Sequence, residues 1–230
     1  MKRLTSIDAL KHKLIVSVQA PEGHALRDSY VIARMAAAAV DGGAAAIRCG
    51  GAGGIADIEA VRSIVDVPII GLTKQGNEGV FITPSLAEVK AVMDAGADIV
   101  AFDGTRRDRR DGSSIADAVR IIREQGRFSM ADVSTCAEGI AAHAAGVDII
   151  GTTLAGYTEY TPYTDGPDLD LVSELRRQLP DAFLIAEGRY TSPELCAAAL
   201  ANGASTVVVG TAITDVMAIA RTFAASFAAH

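Results

Sequence analysis

Tryptophan is absent from this 230-residue chain, aromatic residues make up 5% of it, and cysteine occurs three times. With so few rings, small aliphatic side chains must fill the core: half the residues are hydrophobic and 42 are alanine. That is ordinary globular composition, and it excludes disorder as the dominant state. Cys49, Cys136 and Cys196 are odd in number and widely spaced. They indicate neither a disulfide framework nor a zinc knuckle, and the natural compartment is a reducing cytoplasm. Basic charge is also short. Lys plus Arg number 21 against 28 Asp plus Glu, a net charge of −7, which suits a soluble protein without affinity for nucleic acid. Long apolar runs are missing as well. The run from Leu14 to Val18 is too short for a signal-peptide core, and nothing approaches the roughly 20 residues that cross a bilayer. Neither export nor a membrane span is expected.

The four histidines, His12, His24, His143 and His230, fall before a strand, in a loop, in a helix and at the terminus, with no pair at i,i+2 or i,i+4. Surface or structural roles account for them better than a metal site. Cys49 stands beside Arg48, which would lower its pKa, but no histidine is placed to act as its base.

What is present is a repeat. DGGAAAI (41–47), DAGADIV (94–100), AAGVDII (144–150) and ANGASTVVV (201–209) each read as a helix ending at glycine before an apolar run. Their glycines, Gly43, Gly96, Gly146 and Gly203, are spaced by 53, 50 and 57 residues, about two strand-plus-helix units each. Four further strands fill the gaps. The eight candidates are 14–20, 45–50, 68–74, 99–104, 128–133, 149–154, 182–188 and 206–211. Most are continuous apolar runs, as strands buried on both faces require. Pro84-Ser85 and Ser192-Pro193 mark helix starts, with Ser at the N-cap and Pro at the first helical position. Strand starts about 27 residues apart predict one (β/α)8 barrel spanning 1–230. A doubly wound sheet fits less well, because the Gly-rich GGAGG at 50–54 follows the second strand and lacks the dinucleotide spacing.

In such a barrel the chemistry sits at the C-terminal strand ends. Those ends supply Gln19, Arg48, Lys74, Asp103, Asp132, Thr152 with Thr153, Glu187, and Gly210 with Thr211. Glu187-Gly188-Arg189 and Gly210-Thr211-Ala212 lie where barrels of this kind commonly bind phosphate: glycine lets the backbone approach an anion, and N–H groups at a helix start point towards it. Lys74, Glu187, Arg48 and Asp132 form a ring of base, acid and cation. Such a ring can remove a proton next to a carbonyl and hold the enolate oxygen, and it could equally be a lysine carbinolamine site. RRDRRD (106–111) reads as a solvated loop or ion-pair cluster, not a nucleic-acid surface. The long segment 151–167 carries Tyr157, Tyr160 and Tyr163, rings able to stack on a sugar.

LIVSVQA, GGAAAIR, VPIIGLTK, ADIVAFDGTRR, MADVST, GTTLAGYT, IAEGRY and GTAIT occur between about residue 14 and residue 214. In order and context this set resembles the N-acetylmannosamine-6-phosphate 2-epimerase family. The resemblance implies a phosphate-binding barrel of sialic acid salvage that interconverts N-acetylmannosamine 6-phosphate and N-acetylglucosamine 6-phosphate without a cofactor. It implies Lys74 and Glu187 as the catalytic pair, Gln19, Arg48 and Asp132 around the amino sugar, and Gly188, Arg189, Gly210 and Thr211 at the phosphate. It also suggests a homodimer, for which the apolar C-terminal run offers a surface. Val18, Gln75 and Asp215 depart from the family pattern; Asp215 stands where an arginine often follows Ala-Ile-Thr, so Arg189 or another cation must meet the phosphate charge. The competing expectations are a Lys-dependent aldolase or synthase on the same scaffold and a non-catalytic phosphosugar sensor.

Overall fold

All eight expected strands form in the computed structural model, which describes residues 4–76 and 78–228; His230 lies outside them. The strands are β1 Leu14–Val18, β2 Ala46–Gly51, β3 Ile69–Thr73, β4 Ile99–Asp103, β5 Phe128–Asp132, β6 Ile149–Gly151, β7 Phe183–Glu187 and β8 Thr206–Val209. Between and after them run α1 Ser29–Asp41, α2 Gly54–Arg62, α3 Leu86–Asp94, α4 Ile115–Glu124, α5 Cys136–Ala144, α6 Leu169–Gln178, α7 Pro193–Ala201, the single turn α8 Thr211–Thr214 and α9 Val216–Ala228. The strands pair in parallel in chain order and close when β8 meets β1, with Ile15 opposite Val208. This is the (β/α)8 barrel. Most strands stop one to three residues before their apolar runs do, because the last residues peel into the barrel mouth.

The repeat seen in the sequence is one helix ending used four times. Gly43, Gly96, Gly146 and Gly203 have φ of 103, 103, 87 and 97°, where a side chain would be strained. Each donates its N–H to the carbonyl three residues back, and the next residue donates to the carbonyl five back, as in Gly43 to Val40 and Ala44 to Ala39. These paired bonds satisfy the last carbonyls and turn the chain into the following strand. At the helix starts, Ser192 caps α7 with Pro193 at the first position. Ser85 caps α3, but Pro84 precedes the cap.

Alternation along the strands separates two cores. Ile15, Ile70, Leu72, Ile99, Met130, Ile149, Ile185 and Val208 fill the barrel interior. Val16, Ile47, Val100, Phe102, Ala131, Ile150 and Leu184 face outwards into the helical layer. The interior set fixes the wall from which the site projects. Ile99→Ala should therefore destabilise the protein by about 2–5 kcal/mol through the cavity it leaves. Ser114→Ala, which removes the capping-box hydroxyl of α4, should cost about 1 kcal/mol. Denaturant midpoints of the two variants should fall in that order.

Candidate active site

The inward alternation continues past the apolar layers to polar residues. Ser17 and Gln19 follow Ile15, Arg48 follows Ala46, and Lys74 follows Leu72. Asp132 follows Met130, Thr153 follows Gly151, and Glu187 follows Ile185. They converge at the C-terminal strand ends, where Ser17, Gln19, Lys74, Thr153, Glu187, Gly188, Arg189, Gly210 and Thr211 line a cavity of about 670 Å³. Arg48 and Asp132 lie beneath it, their side chains 1% and 0% exposed. A smaller hollow of about 440 Å³ between α3 and α4 is lined by Lys90, Asp94, Arg120 and Glu124. It reaches no strand end.

Arg48 organises the floor. Its Nη2 and Nη1 donate to the two carboxylate oxygens of Asp132 at 2.6 and 3.2 Å, and its Nε lies 3.2 Å from Glu187 Oε1. The Thr153 hydroxyl stands 2.6 Å from Asp132 Oδ1 and 3.2 Å from Glu187 Oε2. Gln19 Nε2 donates to Ser17 Oγ at 3.1 Å. Lys74 is anchored by its backbone N–H to the Gly51 carbonyl, 2.9 Å away, and by an antiparallel bridge to Ile82. That bridge folds the chain back and brings Phe81 and Ile82 to the cavity wall.

These contacts pull the charges in a consistent direction. Burial works against the Arg48 charge, but Asp132 and Glu187 outweigh it and hold the guanidinium above its ordinary pKa. Water reaches Lys74 through the mouth, while the surrounding protein and then the Arg48 charge hold its amine below the ordinary lysine value, against the pull of Glu187 and Asp132. Burial pushes the Glu187 carboxyl up to about 7, with Arg48 opposing. Near neutrality both groups are shifted towards their uncharged forms.

At the other end of the cavity, Gly188 and Arg189 both have positive φ, 110 and 59°. The Arg189 guanidinium lies against the edge-to-face pair Tyr157 and Tyr163, 5.0 and 5.2 Å from their centroids, and donates to the carbonyls of Gly166 and Ala155 at 2.8 and 2.9 Å. It thus lines the cavity and ties down the segment after β6. Tyr160 is held elsewhere, under Arg106 at 3.7 Å. Asp215, the departure noted in the sequence, accepts the Ala218 N–H at the start of α9 at 2.9 Å and faces His24 Nε2 at 3.3 Å.

Some strand-end residues do other work. Asp103 is bound by its own loop, to Thr105 Oγ1 at 2.6 Å and Arg107 at 2.7 Å. RRDRRD is an ion-pair and hydrogen-bond cluster in which Arg109 is buried and donates to the Thr83 carbonyl. The expectation that Arg48 lowers the Cys49 pKa is corrected. Consecutive strand residues face opposite sides, so Cys49 sits in the outer core and burial raises its pKa far above the usual thiol range. Sequence reasoning reads Thr153 only as a strand-end residue beside Thr152, and it does not single out Ser17, which also lines the cavity. The period-2 alternation through Ile149 and Gly151 would have singled Thr153 out from Thr152. Among the described residues there is no group of three His, Cys, Asp or Glu that could hold a metal ion, and no helix is long and apolar enough to cross a membrane.

The raised pKa of Glu187 makes a stability prediction. The folded chain holds this proton more tightly than an unfolded one, whose carboxyl titrates near 4.5. The contribution of Glu187 is therefore fully present below about pH 4.5 and is lost as the pH rises through about 7. Urea midpoints of the wild type minus those of Glu187→Gln should fall across that window and level off above it.

Residues 32–229 match the model of a family described as "Putative N-acetylmannosamine-6-phosphate epimerase". The "Putative N-acetylmannosamine-6-phosphate 2-epimerase" of Corynebacterium glutamicum is 52% identical over 206 residues, covering 90% of this chain and 89% of the relative. The protein of the same description from Cutibacterium acnes is 47% identical over 212 residues, covering 91% of each. Among solved structures, the N-acetylmannosamine-6-phosphate 2-epimerase from Clostridium perfringens superposes with a TM-score of 0.89 at 39% identity, over 94% of both chains. A 3-hexulose-6-phosphate synthase, with a TM-score of 0.64 at 18% identity, shares the fold alone. With its barrel, its strand-end acids and bases and these similarities, the chain belongs to the N-acetylmannosamine-6-phosphate epimerase family.

Proposed function

We propose that this protein is an isomerase that interconverts N-acetylmannosamine 6-phosphate and N-acetylglucosamine 6-phosphate in amino sugar and sialic acid catabolism. The observation that carries the proposal is the placement of Lys74 and Glu187 on one cavity, each shifted towards its neutral form, in a chain of this family. Epimerisation is redox-neutral and calls for no electron acceptor.

Inversion at C2 needs the open-chain sugar, because only the aldehyde makes the C2 proton acidic. Glu187, protonated, gives its proton to the ring oxygen as the bond from C1 to that oxygen breaks, and the C1 hydroxyl passes its own proton to solvent water at the cavity mouth. Lys74, as a neutral amine, then takes the C2 proton, and the electron pair moves to the carbonyl oxygen to give an enediolate-like intermediate. Solvent water gives a proton to the opposite face of C2 and is restored by the Lys74 ammonium, and ring closure returns the Glu187 proton to give the epimer. An ionised Glu187 favours the ammonium form of Lys74, so a Glu187 that is protonated in the resting site leaves more of the amine free before ring opening. Gln19, Arg48 and Asp132 position the sugar and its acid. Gly188, Gly210 and Thr211 present backbone N–H groups to the phosphate, with Arg189 as the cation of that end. Phosphate binding remote from C2 holds the substrate against the catalytic pair.

Proton NMR in D2O with N-acetylmannosamine 6-phosphate tests this reading. The gluco epimer should appear with deuterium at C2. Lys74→Ala and Glu187→Gln should each lower kcat by at least about 10²-fold. A Lys74→Ala protein with wild-type turnover would overturn the assignment. Activity of the wild type should fall above about pH 7, as Glu187 loses its proton. Borohydride trapping of substrate on Lys74 would point instead to a lysine-dependent aldolase or synthase.

The same reading includes a homodimer in a reducing cytoplasm. Its support is α9, which leaves Val216, Phe223 and Phe227 61, 67 and 79% exposed. Rings this exposed on one terminal helix favour cover by a second copy. Light scattering should give twice the chain mass, and Phe223→Asp combined with Phe227→Asp should give a monomer.

A further inference from the structure

Thr153 has one proton and two carboxylates to serve. Its hydroxyl lies 2.6 Å from Asp132 Oδ1 and 3.2 Å from Glu187 Oε2. A hydroxyl can donate only one bond but can accept two. The 2.6 Å contact has the length of an O–H donated to a charged oxygen, and Asp132 is charged because Arg48 binds both of its oxygens. The Thr153 proton therefore points at Asp132. Its oxygen then turns a lone pair to Glu187 Oε2, and that contact is favourable only when Oε2 carries a proton.

We infer that Thr153 is a positioning residue that holds the acid proton of Glu187 on Oε2 by accepting it, while donating its own proton to Asp132. The inference rests on the acid role proposed above for Glu187 and deepens it. The other carboxyl oxygen, Oε1, lies 3.2 Å from Arg48 Nε, an ion-pair contact without a hydrogen bond, so the two oxygens of Glu187 are differentiated: one faces a fixed cation, the other an acceptor. When Glu187 gives up its proton to substrate, the Thr153 hydroxyl turns from Asp132 to the new carboxylate, and Asp132 keeps both of its bonds from Arg48. One hydroxyl thus serves the acid before and after transfer. The charged groups facing Glu187 are Arg48 from β2, Lys74 at the end of β3 and Asp132 from β5. Val208 is its partner on β8, and Thr153 is the neutral polar group between the two acids. Thr153 Oγ1 is also within reach to donate to Glu187 Oε2, and a proton aimed there favours the carboxylate and lowers its pKa; the much shorter contact to Asp132 is what assigns the proton to Asp132 instead.

The decisive measurement is carbon NMR of protein labelled at the glutamate side-chain carboxyls, titrated without substrate, with the Glu187 signal identified by its loss in Glu187→Gln. Thr153→Val should move the Glu187 midpoint down by about one pH unit, a tenfold change in the protonation equilibrium, and Thr153→Ser should restore it. In turnover, Thr153→Val should lower kcat about tenfold at neutral pH, with KM changed less than about threefold, and shift the high-pH limb downwards. A Glu187 midpoint that stays in place or rises would overturn the inference, a rise meaning that the hydroxyl donates to the carboxylate. Should Thr153→Val fail to fold, the smaller Thr153→Ala carries the same two outcomes. Because the titration uses no substrate, a wild type that forms no epimer would defeat the proposed function and leave this inference to be decided by the midpoint.

Discussion

One positive charge is shared by two acids at the floor of the barrel. Arg48 is 1% exposed and cannot be hydrated, so its charge is tolerable only against fixed counter-charges. Asp132 supplies one in a two-pronged pair. Glu187 then finds the guanidinium already paired from the other side and the Asp132 charge close by, with its own side chain mostly buried. Its carboxyl consequently keeps a proton to about pH 7. The surrounding protein, and then the same Arg48 charge, discourage a proton on Lys74 even though water reaches it through the mouth. Burial drives the Glu187 carboxyl towards its protonated form with Arg48 opposing, so the guanidinium weakens that shift and adds to the one at Lys74.

The barrel makes that placement possible because its wall is built by alternation. Every second residue of a strand points inwards, so eight parallel strands fill the lower barrel with aliphatic side chains and leave the upper ends for polar ones. Loops then shape the mouth. The chain after β3 folds back through the Lys74 and Ile82 bridge, and Arg189 fastens the segment after β6 through two carbonyls and two tyrosine rings. This dual use of Arg189, in the cavity wall and in the loop, adds a constraint that strand-end reasoning does not contain.

Much of this was legible in the residues. The Gly-terminated repeat announced four helix endings, and all four are built the same way, because a positive φ after a helix C-cap is a local requirement that glycine meets alone. Lys74 and Glu187 stood out as charged residues closing apolar runs. Cys49 and Asp103 show the opposite case. Adjacency to Arg48 in sequence says nothing of contact when neighbouring strand residues point apart, and a strand-end Asp can be claimed by its own loop before it reaches the cavity. Asp215 likewise has a local task, as the first hydrogen-bond acceptor of α9 and the partner of His24.

By itself the sequence determined the number of strands, their order, two helix starts, four helix ends and the identity of most polar groups at the barrel mouth. These depend on local periodicity, capping and glycine conformation, which act over a few residues. Only the tertiary structure decided which of those groups touch: that Arg48 joins Asp132 to Glu187, that Thr153 and not Thr152 lies between the acids, and that Lys74 and Glu187 are driven towards neutrality. Such contacts join residues up to 139 positions apart, as between Arg48 and Glu187. Their energies depend on distance and burial, quantities that exist only once the barrel has closed.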